Sequence, residues 1–326
     1  MRAVLRRYAL RRRIAKARVC GEVVRAVLVQ PAGSIGALIV VTFVLAALLA
    51  PLIEPASPYA TNPTEALSGP SWAHILGTDE VGRDVLSRIL HGGRPTITVA
   101  VIAVLCGGTL GALLGIAGGY RRGVADALIM RASDVVFAFP LILIGICALL
   151  ILGPGVVTIG AALGFGLVPM FARLARGEVL REMQRDYIRA ARSMGASPRW
   201  IVTKHVVPNI ASALVVQAAT ATSAAVLLAS TLDFLGVGTQ PPSPSWGNLL
   251  QAGRVHLATN PVFALSPGVV LTTFLVGINL VAAALTNALD PRIRTRVLRR
   301  SFTGRRRRDP SAAEAPRPVE TTPESL

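Results

Sequence analysis

The sequence is short of cysteine, lysine, aromatic rings and charge. Three cysteines in 326 residues exclude a disulfide-stapled secreted scaffold. Charged residues make up 16% of the chain, against about 25% in a water-soluble domain, and aromatics 5%. Only Lys16 and Lys204 among the 34 cations are lysines. Neither follows a glycine, so there is no Gly-Lys-Ser/Thr phosphate loop and no ATP site of that kind. The histidines His74, His91, His205 and His256 are scattered without metal-ligand spacing, and neither H-E-x-x-H nor G-x-S-x-G occurs. No catalytic, cofactor-binding or metal-ligating set emerges, so the chain is not read as an enzyme.

What the sequence has is apolar bulk: 52% hydrophobic residues and a mean hydropathy of +0.56, which exclude a disordered chain. The apolar residues fall in six runs, 33–52, 96–119, 134–152, 155–175, 209–236 and 268–289, each near the roughly 20 residues that cross a bilayer as a helix. The run 33–52 is too long for a signal-peptide core and reads as a retained helix. Gly153-Pro154-Gly155 turns the third run into the fourth, and Pro140 predicts a kink in the third. The expected fold is an all-α integral membrane protein with six transmembrane helices.

Charge orients these helices. Thirty of the 34 cations lie before the first run, in alternate loops (with Arg173 at the edge of one) or after the last run; Arg83, Arg88, Arg94 and Arg254 occupy the other side. The positive-inside rule places both termini in the cytoplasm. The basicity is thus a topology signal and not a nucleic-acid surface. The chain divides into a basic cytoplasmic segment 1–32, a first helix with its outer loop at 33–94, a core at 95–290 and a basic cytoplasmic tail at 291–326. That tail, with Arg305–Arg308 and its Pro/Glu/Ser/Thr end, is expected to be disordered.

The runs have no carboxylate near a midplane: Asp134 falls at a cytoplasmic end and Asp233 near an outer end. This argues against an ion-coupled secondary transporter, which uses intramembrane charge. Gly107, Gly111, Gly115 and Gly119 share one helix face and suit close backbone approach, within the bundle or to a partner. Gln217, Thr220, Ser223 and Asn279, with Asp233, are candidates for a substrate path; hydrogen bonding between helices explains them equally well. Outside the membrane, Thr78 or Asp79 is expected to cap a short helix ending at Gly92. Its predicted i, i+4 pairs are Asp79–Arg83 and Asp84–Arg88, and its apolar positions are Val81, Val85, Ile89, Leu86 and Leu90. Trp246, in a Pro-rich loop, reads as an anchor at a membrane interface or within the bundle.

The cytoplasmic loop 177–208 carries the most information. Leu180, Met183, Tyr187, Ala190 or Ala191 and Met194 recur at steps of three and four, predicting one apolar helix face over 178–194, with Arg181, Arg185, Arg189 and Arg192 opposite. Gly195 suits a left-handed cap. Ser197 and Pro198 begin a second short helix that ends at Pro208. Two amphipathic helices meeting at a bend suit docking into a partner, with contact to lipid as the alternative.

The segment Arg189-Ala190-Ala191, Gly195, His205, Val207 and Pro208 resembles the coupling loop of ABC-importer permeases: Glu-Ala-Ala, a glycine after three residues, and a distant proline. Arginine stands in place of the glutamate and histidine in place of the usual isoleucine. The stretch Leu76–Arg88 with Gly92–Thr96, and the stretch Phe234–Gly247, resemble the dipeptide/oligopeptide/nickel branch of that family. There a glutamate often stands at the position of Ala229 and a serine at that of Asp233. The resemblance implies a type I ABC-importer permease in the bacterial plasma membrane, importing di- or oligopeptides. Its implied partners are a second homologous permease, two cytoplasmic ATPases that carry ATP and Mg, an extracytoplasmic solute-binding protein and the lipid bilayer. It implies ATPase coupling through Tyr187, Arg189, Ala190, Ala191, Gly195, Ala196, Ser197, Pro198, His205 and Pro208. A nickel chelate, a glutathione-like peptide or an oligosaccharide are other cargoes for the same architecture; a membrane scaffold without transport is the reading that the bent loop opposes.

Overall fold

The computed structural model describes residues 21–289. Among them the regular structure is helical, with one isolated bridge between Thr78 and Asp84. The segments 1–20 and 290–326, with Arg305–Arg308 and most of the two basic ends, lie outside the described residues. Helix α1, Pro31–Leu48, leads into the short α2, Ala50–Ile53. An outer cap, residues 54–84, precedes α3, Val85–Arg121. Then follow α4, Gly123–Phe137; α5, Leu141–Leu152; and α6, Val156–Glu182. The cytoplasmic arm contains α7, Asp186–Ser193, and α8, Pro198–Ile201, and runs through a π turn, Val202–Val206, into α9, Val207–Phe234. Helix α10, Trp246–Gly253, and α11, Pro261–Leu289, complete the described chain.

Five of these helical stretches are long and apolar enough to cross a membrane, and α4 with α5 makes a sixth if the pair counts as one span. Many of their large apolar side chains point outward, Leu38, Leu113 and Val269 among them, as lipid-facing residues do. The third span is not the single kinked helix expected at 134–152. It breaks at Ala138–Pro140, and the two pieces meet at 83°. Proline removes an amide donor and pushes the preceding residue out of the helical region, so the chain starts afresh at Leu141. Helix α4 is strapped to α6 instead: Arg176 forks onto Asp126 at 2.6 Å through both Nε and Nη2. Arg173 reaches Asp134 at 2.8 Å and stacks over Phe137 at 4.4 Å.

The short outer helix expected before Gly92 is also not separate. It is the first two turns of α3, capped by Asp84, whose carboxylate accepts the Ser87 amide at 2.7 Å. Thr78 and Asp79 lie in the cap. Gly92 and Gly93 do not end the helix because each packs against the Ser245–Trp246 segment, where a Cβ would meet atoms at 3.1 Å or closer. Pro95 is accommodated inside the helix. The pair Asp79–Arg83 forms at 2.7 Å, whereas Arg88 turns from Asp84 to Asp79 (3.4 Å) and the Pro58 carbonyl (3.0 Å). Val81 precedes the helix; Val85 and Ile89 are buried with Leu249 and Phe263.

The glycine ladder meets α6 within the chain. A Cβ at Gly107, Gly111 or Gly115 would lie 2.5, 2.5 or 2.3 Å from the carbonyls of Gly164, Val168 and Ala172, and one at Gly119 3.0 Å from Val179. Removing the side chains lets the two backbones touch along four turns, which is how helices associate where water supplies no driving force. The main core gathers Val99, Leu163, Phe171, Val226, Leu232 and Phe274 between α3, α6, α9 and α11. Trp246 is buried in it, donating its indole N–H to the Ile89 carbonyl at 3.0 Å and packing edge-on against Phe43 and Phe274.

Candidate functional site

The cytoplasmic arm, residues 183–208, grows directly from two spans. Helix α6 continues past its expected end at 175 to Glu182, and the chain turns at Met183–Arg185 before α7. The single apolar face expected over 178–194 therefore does not form. The turn resets the helical phase, so Ile188 and Ala191 face inward with Met183, while Tyr187, Ala190 and Met194 face solvent. Val179, Met183, Ile188, Ile201, Val206 and Ile210 form a buried plug, with Ile116 and Tyr120 of α3, Ala196 and Leu214 packed around it.

The bend between α7 and α8 is built by backbone hydrogen bonds. Gly195 N–H donates to the Arg192 carbonyl (2.9 Å) and Ala196 N–H to the Ala191 carbonyl (3.0 Å), the Schellman pattern that needs a left-handed residue at the glycine. Gly195 has φ +79°, and no atom stands within 4 Å of where its Cβ would be. Its requirement is conformational, not steric. Ser197 then caps α8 by accepting the Trp200 amide at 3.4 Å, and Pro198 takes the first helical position.

Pro208 does not end that second helix. The chain stays helical from Pro198 through the π turn to Phe234: the π turn just before Pro208 already interrupts the regular ladder that an interior proline would break. The second half of the arm, from Pro198, and the fifth span are thus one continuous rod.

A polar clamp joins three segments at its base. The Glu182 carboxylate, at the end of α6, accepts the Tyr187 hydroxyl and, at 2.7 Å, the Asn209 amide; Asn209 also donates to the Tyr187 oxygen at 2.8 Å. His205 packs its ring against Trp200 (4.7 Å) and Tyr187 (5.5 Å). Arg189 is exposed, 3.9 Å from the fully exposed Asp186, a pair that contributes little. Pro208 is exposed as well. Ala191, Met194, Gly195, Ala196, Ser197 and Trp200 line a shallow groove of about 380 Å³ at the bend.

The expected path residues separate into two groups. Gln217 lines a cavity of about 710 Å³ at the cytoplasmic end, with Glu178, Arg181, Asn209 and Thr286. Above it, Thr220 donates to its own helix at the Gln217 carbonyl (2.9 Å), and Asn279 of α11 donates to the Ser223 hydroxyl at 3.0 Å. Asp233 is elsewhere: buried, accepting the Thr239 amide at 2.6 Å, and packed against Gly238 and Gly247. It shapes the loop after α9. The sequence reading missed Glu182, Asn209, Ile188 and Trp200 as members of this site. A clamp partner five residues before Tyr187 has no periodic signature.

The molecule is a helical membrane bundle with a capped, bent arm whose second half runs unbroken into the fifth span. Residues 107–295 match the family described as binding-protein-dependent transport system inner membrane component. The chain is 36% identical over 261 residues to a dipeptide transport system permease of Alkalihalophilus pseudofirmus, covering 80% of this chain and 86% of that protein. It is 40% identical over 227 residues to a glutathione transport system permease of Pectobacterium atrosepticum, covering 70% and 75%. It is 36% identical over 265 residues to a di/tripeptide transport system permease of Pseudomonas aeruginosa, covering 79% and 88%. The chain belongs to the binding-protein-dependent inner-membrane permeases. It is a multi-pass protein of the inner membrane with the type I ABC permease fold, a component of a system that also has ATPase and binding-protein parts.

Proposed function

We propose that this chain is one permease subunit of an ATP-driven importer of di- and oligopeptides, paired with a second homologous permease and with two cytoplasmic ATPases. The observation that carries the reading is the arm: two short helices set by a glycine cap, seated on a buried plug, and continuous with the fifth span. ATP and Mg belong to the ATPases, whose closure on ATP presses on the groove at Ala191, Met194, Gly195, Ala196, Ser197 and Trp200. Because the arm is packed and clamped, it moves as a body and takes α9 with it. Tyr187, Ala190 and Pro198 shape its contact face, and His205 and Pro208 stiffen its second half.

Solute released by the binding protein passes along the half-polar face of α9 and α11, by Ser223, Asn279, Thr220 and Gln217, and leaves at the cytoplasmic cavity. Peptide cargo is supported by relatives named for dipeptide, di/tripeptide and glutathione transport. The test is gentle extraction of the tagged chain from native membranes, then reconstitution of what co-purifies. The expected result is two P-loop ATPases, a second permease, and ATP-dependent uptake of labelled dipeptide that nickel does not compete. Uptake by the chain alone, without ATP, overturns the reading.

A further inference from the structure

Three of the four histidines lie on the outer side, and each stands near a carboxylate. His91 Nδ1 is 3.2 Å from Glu54 Oε2 and 3.1 Å from the Ser87 carbonyl; His256 Nε2 is 3.8 Å from Glu80 Oε2. His74 lies between two carboxylates, with Nδ1 2.9 Å from Asp84 Oδ1 and Nε2 3.3 Å from Glu65 Oε2. His205, on the cytoplasmic side, packs against aromatic rings instead.

The geometry at His74 selects a protonation state. A neutral imidazole has one N–H and one lone pair, so in either tautomer one ring nitrogen turns its lone pair on a carboxylate oxygen. The imidazolium has an N–H for each. Asp84 and Glu65 are the charged groups that face the ring; the arginines of this segment, Arg83 and Arg88, are engaged on Asp79. Asp84 is already divided: its Oδ2 accepts both the Ser87 amide and the Ser87 hydroxyl at 2.7 Å, leaving Oδ1 for His74. The same carboxylate therefore starts α3 and holds the ring. Glu65 sits in a 3₁₀ turn, Pro63–Glu65, whose carbonyl accepts the Thr78 hydroxyl. Asn260 reaches the adjoining Leu67 and Ser68 carbonyls from the head of α11 at 3.4 and 3.3 Å.

We propose that His74 is a proton-operated staple on the extracytoplasmic face: protonated, it ties the 65–78 segment to the N-cap of α3, and deprotonated, it lets that segment open. The hydrogen bond to Asp84 is the largest of the influences that raise the His74 pKa above its ordinary value, against a smaller lowering by burial. The sign follows from that rise. The staple is complete below the ordinary histidine range and is lost as pH climbs through the raised value. The outer cap is tighter in an acidic medium and looser in a neutral or alkaline one, on the side of the membrane where pH is set by the surroundings.

The experiment is amide hydrogen exchange over residues 62–80 of the full chain in lipid nanodiscs, at about pH 5.5 and about pH 8, corrected for intrinsic exchange. Wild type is expected to lose roughly tenfold in protection between the two. His74→Gln should show the loosened value at both pH values, and His74→Lys, which keeps its charge throughout, should show no pH response. Glu65→Gln, which leaves the N-cap of α3 intact, should shrink the response, while His91→Gln and His256→Gln should retain it. Unchanged exchange at 179–210 in each variant establishes that the bundle is folded. Equal wild-type protection at both pH values, or a wild-type response in His74→Gln, overturns the proposal.

Discussion

The outer cap and the cytoplasmic arm are both short segments attached to the ends of spans, yet they are held by opposite means. In the cap, buried polar groups do the binding: Asp79, 1% exposed, accepts the amides of Val81 and Arg83 at 3.0 and 2.9 Å and the Arg83 side chain at 2.7 Å, and pairs by charge with Arg88 at 3.4 Å. In the arm, an aliphatic plug is buried, and the polar contacts, the Glu182–Tyr187–Asn209 clamp and the Arg189–Asp186 pair, lie at the surface. Directional bonds hold the cap, and two of them run through the titratable ring of His74. An aliphatic plug is not directional, so a body seated on it can shift as a unit while its own caps keep its shape. The difference separates a cap whose hold depends on charge from an arm whose hold depends on apolar burial.

Four substitutions test this contrast. The largest effect is expected from Asp79→Ala, which leaves the nearly buried Arg88 guanidinium without its carboxylate and should cost about 3–5 kcal/mol. The measurement is thermal unfolding of the purified chain in detergent, and an unchanged midpoint would mean that the cap is not held by charge. Ile188→Ala opens a cavity in the plug, where Ile188 is fully buried, and should cost about 2–5 kcal/mol. Its uptake defect should scale with arm unfolding seen by proteolysis between 183 and 208.

Gly195→Val forces a branched side chain into φ +79°, at about 1–2 kcal/mol. With so small a stability loss the chain should assemble normally, while ATP-driven uptake collapses because the bend has changed; normal uptake would refute the lever. Trp200→Ala is at the other extreme. The side chain is 45% exposed, so unfolding should move by no more than about 0.5 kcal/mol. ATPase co-purification should nonetheless fall, which separates the docking face from the plug beneath it.

Much of the architecture was legible in the residue order. Span existence, orientation and the capped bend rest on local properties: apolar run length, arginine placement, and the Gly195-Ala196-Ser197-Pro198 order. What misled was phase and continuity. The steps of three and four from Leu180 to Met194 assume one helix, and the turn at Met183–Arg185 rotates everything after it. Gly92 and Pro208 are helix breakers by type, yet both lie inside continuous helical chain, with a packed neighbour against Gly92 and a π turn just before Pro208. The Asp84–Arg88 spacing was favourable, but Asp79 and the Pro58 carbonyl, brought close by the folded cap, drew Arg88 away.

Membrane spanning and the bend at Gly195 were set by the residue order alone, since each follows from hydrophobicity or backbone freedom acting over a few residues. Only the tertiary structure decided which residues are partners. The glycine ladder found α6, Glu182 found Tyr187 and Asn209, and His74 found two carboxylates from segments on either side of it. Such contacts join positions whose separation along the chain carries no period, so they exist only once helices have packed and brought them within hydrogen-bond reach.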